Sequence, residues 1–87
     1  MKHAGAEALK LINPLLNEIR KRPKLRENTP GNFYVKSKAY LHFHEDPAGM
    51  FADVKLDLVE FTRMRATTAK EQKTLLTKID KSLAALA

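Results

Sequence analysis

His42 and His44, two residues apart on one side of a Pro/Gly turn, and Asp53 on the other side are the residues whose types and spacing can do chemistry. A histidine beside an aspartate serves as general base or acid, because the carboxylate fixes the imidazole tautomer and raises its pKa. Two histidines at i and i+2 on one strand, with Asp53 as a third ligand, also suit a transition-metal ion. Tyr40 and Lys55 share the parity of this group. Residues 38–57 contain no serine or threonine to act as nucleophile, and the chain has no glycine-rich phosphate loop. The plain alternative is a polar, half-wet sheet face whose cross-strand pairs are each worth a few tenths to about 1 kcal/mol.

For these side chains to meet, the segment must fold as a hairpin. Ala39, Leu41 and Phe43 alternate with Tyr40, His42 and His44; beyond Asp46-Pro47-Ala48-Gly49, Met50, Ala52, Val54 and Leu56 alternate with Phe51, Asp53 and Lys55. Two period-2 runs around such a turn predict a β-hairpin, here 38–45 paired with 50–57. A four-residue loop at Asp46–Gly49 pairs Glu45 with Met50, His44 with Phe51, His42 with Asp53 and Tyr40 with Lys55. Leu41, Phe43, Ala52 and Val54 then share the core face. Tyr40, His42, His44, Asp53 and Lys55 share the other, and a one-residue slip would exchange the two.

A second candidate lies upstream. Arg20, Lys21, Arg22, Lys24 and Arg26 place five cations within seven residues. Such a cluster neutralises phosphates by counterion release, and Tyr34, Tyr40, Phe51, Lys36 and Lys38 offer aromatic and basic contacts on the sheet. Against this, aromatics are 7% of the chain and no RNA-recognition motif is present. Cations at a helix C-terminus also complement the helix dipole without any ligand.

The flanking segments supply the scaffold. Ala8, Ile12, Leu15 and Ile19 recur at helical steps from Ala6 to Arg22, with Leu9, Leu11 and Leu16 widening the stripe. Pro14 interrupts it and predicts a kink or two tandem helices, with Asn13 capping the second. Pro23 marks the end, and residues 24–32 form a turn-rich connector. Phe33 and Val35 predict a short strand, separate from or continuous with the hairpin, and residues 62–66 a weaker one. Thr68 and Glu71 form a capping box ahead of the stripe Gln72, Leu75, Leu76, Ile79, Leu83, Leu86.

Composition bounds the rest. Eighty-seven residues make one domain, 1–87, and the absence of cysteine excludes disulfides, thiolate metal sites and cysteine nucleophiles. The net charge of +6 is uneven, being positive in 1–26 and 58–87 and mildly negative between them. No apolar run approaches the roughly 20 residues of a membrane span. Residues 1–12 do not read as a secretion signal, so a cytoplasmic location is expected.

The run Phe33-Tyr34-Val35-Lys36-Ser37-Lys38-Ala39-Tyr40-Leu41-His42-Phe43-His44-Glu45-Asp46, with Phe51-Ala52-Asp53-Val54-Lys55 and Thr68-Ala69-Lys70-Glu71-Gln72-Lys73-Thr74-Leu75-Leu76, resembles a small family of uncharacterised bacterial proteins. In that family an "AFLHFHED…FADV" hairpin and a closing helix recur. The likeness implies the fold and no activity. More remotely, the order of helix, F-x-V-x-x-K hairpin and C-terminal helix resembles YjbR/MmcQ-like domains, which have been called DNA-binding. This chain is shorter and lacks their later motifs, so binding is not transferred.

The expected architecture is α+β in the order α–β–β(–β)–α, with the helices on one face of a small antiparallel sheet. The expected function is a non-enzymatic binding module for an anionic partner, nucleic acid among the candidates, through Arg20, Lys21, Arg22, Lys24 and Arg26. The alternative is a small-ligand or metal site, enzymatic or not, on the face of Tyr40, His42, His44 and Asp53. Neither a catalytic residue nor a resident metal or cofactor is assigned. A monomer or weak homodimer is expected.

Overall fold

The computed structural model describes residues 1–86, so only Ala87 of the expected domain lies outside it. The order is β1 (Lys2–His3), α1 (Ala6–Leu11), α2 (Asn13–Arg20), β2 (Arg26–Glu27), β3 (Phe33–Val35), β4 (Lys38–Asp46), β5 (Gly49–Val54), β6 (Thr62–Arg65) and α3 (Ala69–Ala84). The sheet is antiparallel in the order β2-β3-β4-β5-β6. β3 covers one edge of β4 only as far as Leu41, and β1 pairs with the rest of that edge at His44 and Glu45. This is the α+β class read from the sequence. Among the described residues, no helix is long and apolar enough to cross a membrane.

Proline splits the first helical stretch into the tandem pair. Leu16 N–H donates to the Ile12 carbonyl at 3.0 Å, so Ile12 rather than Asn13 is the N-cap of α2, with Pro14 in its first turn, where no amide donor is needed. The Asn13 side chain faces Arg20 instead. Leu11 falls at the break and is 80% exposed, outside the stripe it was expected to widen. Ala8, Ile12, Leu15, Leu16 and Ile19 do bury, joining Leu75, Ile79 and Leu83 of α3 and Phe33, Val35, Leu41, Phe43, Ala52 and Val54 of the sheet in one core. The capping box of α3 forms in both directions: Glu71 N–H donates to Thr68 Oγ1, and Thr68 N–H donates to Glu71 Oε1.

Residues 33–46 make two strands, not one. Lys36 and Ser37 both adopt positive φ, 50° and 69°, the backbone twist that two-residue hairpins require. The next hairpin is tighter than expected. Asp46 pairs with Gly49, which leaves only Pro47 and Ala48 as the turn, and the second strand stops at Val54. Gly49 sits at φ +134°, and a Cβ there would collide with Thr67 Oγ1. That hydroxyl is fixed, accepting from Met50 N–H at 2.8 Å and donating to the Met50 carbonyl at 3.1 Å. Gly49→Ala is therefore expected to cost about 1–3 kcal/mol in urea unfolding. A neutral result would show that the turn relaxes at no cost.

One expected residue changes sides. Tyr40 was placed on the histidine face; it is fully buried in the core, and Ala39 is exposed instead. The cause is a β-bulge. Phe33 pairs with Leu41 and Tyr34 with Ala39, so Tyr40 is an extra residue opposite β3. A bulge lets two successive side chains point the same way, and both Tyr40 and Leu41 point into the core. Lys55 N–H still donates to the Tyr40 carbonyl at 2.8 Å, so the backbone pairing survives while the side chain leaves the site.

Candidate metal centre

From Leu41 onward the strand parity holds, and it builds the site row by row. The register sets His42 beside Asp53 and Asp53 beside Arg63 across β4, β5 and β6. The neighbouring row runs His3, His44, Phe51, Arg65 across β1, β4, β5 and β6. Side chains at i and i+2 share a face, so both rows project from the side of the sheet opposite the helices.

The rows converge on one cluster. The rings of His3 and His44 are 4.6 Å apart between centroids, those of His42 and His44 4.9 Å, and those of His3 and His42 5.6 Å. One nitrogen from each of the three lies within 4.8 Å of the others. Asp53 Oδ2 is 3.4 Å from His42 Nε2 and 3.0 Å from His44 Nε2. The Arg63 guanidinium grips Asp53 from the far side, with Nε donating to Oδ1 at 2.8 Å and Nη2 to Oδ2 at 2.9 Å. Phe61 stands edge-on to His42 at 4.9 Å and carries the Lys55 ammonium 4.8 Å over its ring.

Burial and charge set the protonation states. Asp53 is 7% exposed. Its hydrogen bonds from Arg63 hold the carboxyl below the usual range, against the opposing effect of burial, so it is ionised at neutral pH. Burial pushes His42 below the ordinary histidine value, and the charges of His44 and His3 act in the same direction while Asp53 opposes them. A neutral imidazole is the form that offers a lone pair to a metal. His44 Nε2 is buried and has no hydrogen-bond partner among the described residues, although Asp53 Oδ2 is 3.0 Å away. Proximity without hydrogen-bond direction leaves a buried nitrogen with its lone pair or proton unsatisfied, which an ion bound by both atoms from one side would satisfy.

Part of the spacing already suits such an ion. Tetrahedral ligands at about 2.0–2.1 Å from zinc lie about 3.3 Å from one another. The two His–Asp separations, 3.0 and 3.4 Å, bracket that value, while the three imidazole nitrogens, within 4.8 Å of one another, would draw together around the ion. Three imidazoles, which are borderline ligands, beside one hard carboxylate suit zinc and its neighbours rather than calcium or magnesium, which take oxygen ligands throughout.

The other candidate residues lie elsewhere. Arg20 forms a two-pronged pair with Glu27, at 2.6 and 2.9 Å. Lys21 pairs with Glu18 at 2.7 Å, and Arg22 forms two bonds to Asp80 of α3, at 2.9 and 3.0 Å. The Lys24 ammonium donates to the Leu83 and Leu86 carbonyls at the end of α3, where a cation complements the helix dipole. Arg26 is exposed on β2, opposite Tyr34. Four of the five cations thus tie α2 and the connector to acidic side chains or to α3.

Sequence reasoning found His42, His44 and Asp53 and missed His3 and Arg63. Arg63 was within reach: a buried aspartate demands a cation, and residues 62–66 already read as a strand. His3 left no signal, because a two-residue strand has no periodicity. Compared with known proteins, the chain matches no family model, no curated protein and no solved structure, so it is this geometry that speaks for function.

Proposed function

We propose that this protein is a metal-binding module that holds one divalent transition ion, zinc by preference, between His3, His42, His44 and Asp53. The observation that carries the reading is the convergence of three imidazole nitrogens within 4.8 Å, beside a carboxylate oxygen already 3.0 Å from one of them. Three nitrogens and one oxygen complete a tetrahedral shell. That composition favours a closed site over a Lewis acid with a vacant position. Arg63 fixes the carboxylate that the ion needs, an outer-shell role of the kind metal sites depend on.

An anionic partner at the basic connector is the weaker reading. It would compete with Glu18, Glu27 and Asp80 for three of the five cations, and with helix carbonyls for a fourth.

A zinc titration followed at the histidine ring protons tests the proposal. The signals of His3, His42 and His44 are expected to move together and saturate at one ion per chain. Ring signals that stay fixed at millimolar zinc would refute it.

A further inference from the structure

We infer that the ion acts as a latch for β1: its binding fastens a two-residue strand that the rest of the fold holds only loosely. The inference rests on the metal-site reading and concerns what that site controls. Among the described residues, β1 is the only sheet segment that contributes a ligand from outside the β4–β5–β6 unit, since the ligands His42, His44 and Asp53, and Arg63 that holds Asp53, all belong to those three strands.

The present tethers of β1 are few. Lys2 and His3 pair with Glu45 and His44, and both are exposed. Ala4 N–H donates to the Phe43 carbonyl at 3.0 Å, and Gly5 N–H donates to Glu45 Oε2 at 2.7 Å. Lys2 and Glu45 approach only to 3.8 Å, with Lys2 largely solvated, and the N-terminal ammonium lies 3.5 Å from Asp46, contacts of small worth; Ala4, just beyond the strand, packs partly against the core. Two ladder residues cannot supply the burial that orders a strand by itself. The strand also covers a gap: β3 ends its pairing at Leu41, and beyond it, among the described residues, β1 is the strand that pairs with the β4 edge.

Coordination changes this balance because the ion binds fully only when His3 is docked. An ion with higher affinity for the docked state must shift the docking equilibrium by the same factor. His42 and His44 remain on one strand whether or not β1 is in place, so they can receive the ion first and His3 completes the shell. Free and loaded protein would then share one core and differ at one edge.

Zinc itself is the probe, added to the whole chain and to His3→Ala, with two readouts taken on the same samples. Ring-proton shifts of His42 and His44 report ion binding. Amide exchange of Ala4 and the heteronuclear NOE of residues 2–4 report docking of β1. In the wild type, saturating zinc is expected to slow Ala4 exchange roughly tenfold or more and to raise the NOE of residues 2–4. In His3→Ala, zinc is expected to bind at least about tenfold more weakly and to leave both docking readouts unchanged. If the His42 and His44 rings shift while Ala4 and the NOE stay constant in the wild type, the latch is overturned and the ion site stands. Equal zinc affinity in His3→Ala also overturns the latch. Ring signals that never move overturn both.

Discussion

His44→Ala lowers zinc affinity by roughly 100-fold or more while the protein stays folded. Loss of an outer-shell partner alone typically costs about 10–100-fold in metal affinity, and His44 is placed as a direct ligand. It is also the centre of the cluster. Its ring is nearest to both other histidines, and of the two histidines beside Asp53 it is the closer, at 3.0 Å against 3.4 Å for His42. Removing it leaves His3 and His42 without the residue that stands beside both. The cost to the fold is small, because the ring lies on the face away from the core and a cross-strand pair contributes at most about 1 kcal/mol. Calorimetric titration with zinc, beside a thermal melt of the same variant, separates the two effects. An affinity within about threefold of wild type, in a variant that melts normally, would remove His44 from the shell and the proposed site with it.

The core of that site was legible because a strand has only two faces. Once Leu41, Phe43, Ala52 and Val54 are assigned to the core, His42, His44 and Asp53 have nowhere else to go, and the pairs Glu45–Met50, His44–Phe51 and His42–Asp53 follow from the turn. The capping box at Thr68 was equally local and equally readable. What escaped depends on distant or irregular backbone. His3 reaches the cluster through a pairing with residues more than 40 positions away. The connector's cations read as a surface cluster because Asp80, which binds Arg22, lies on a helix whose docking angle no local pattern reveals. Glu18 was different: its spacing to Lys21 and Arg22 is that of helical ion pairs and was open to view. Tyr40 was misassigned because parity reasoning assumes an unbroken ladder, and one inserted residue turns Tyr40 into the core and Ala39 out of it.

That bulge makes Tyr40 the site of an effect with two opposite signs. Tyr40→Ala is expected to lose about 3–5 kcal/mol, the usual penalty for emptying a buried aromatic site, since the side chain is fully enclosed between the sheet and α3. Tyr40→Phe is expected to be neutral or to stabilise by up to about 1 kcal/mol. The phenol oxygen is buried with no hydrogen-bond partner among the described residues, and the nearby Ser82 hydroxyl donates to the Leu56 carbonyl at 2.6 Å. Burial accordingly pushes the phenol pKa up, Ser82 opposing only in part. A buried hydroxyl without a partner costs desolvation and returns nothing, so deleting it removes a penalty. Urea unfolding of the two variants decides the matter. A loss above about 1 kcal/mol for Tyr40→Phe would mean that the hydroxyl is bonded after all, and the register shift between β3 and β4 would then owe its position to a polar contact rather than to the volume of the ring.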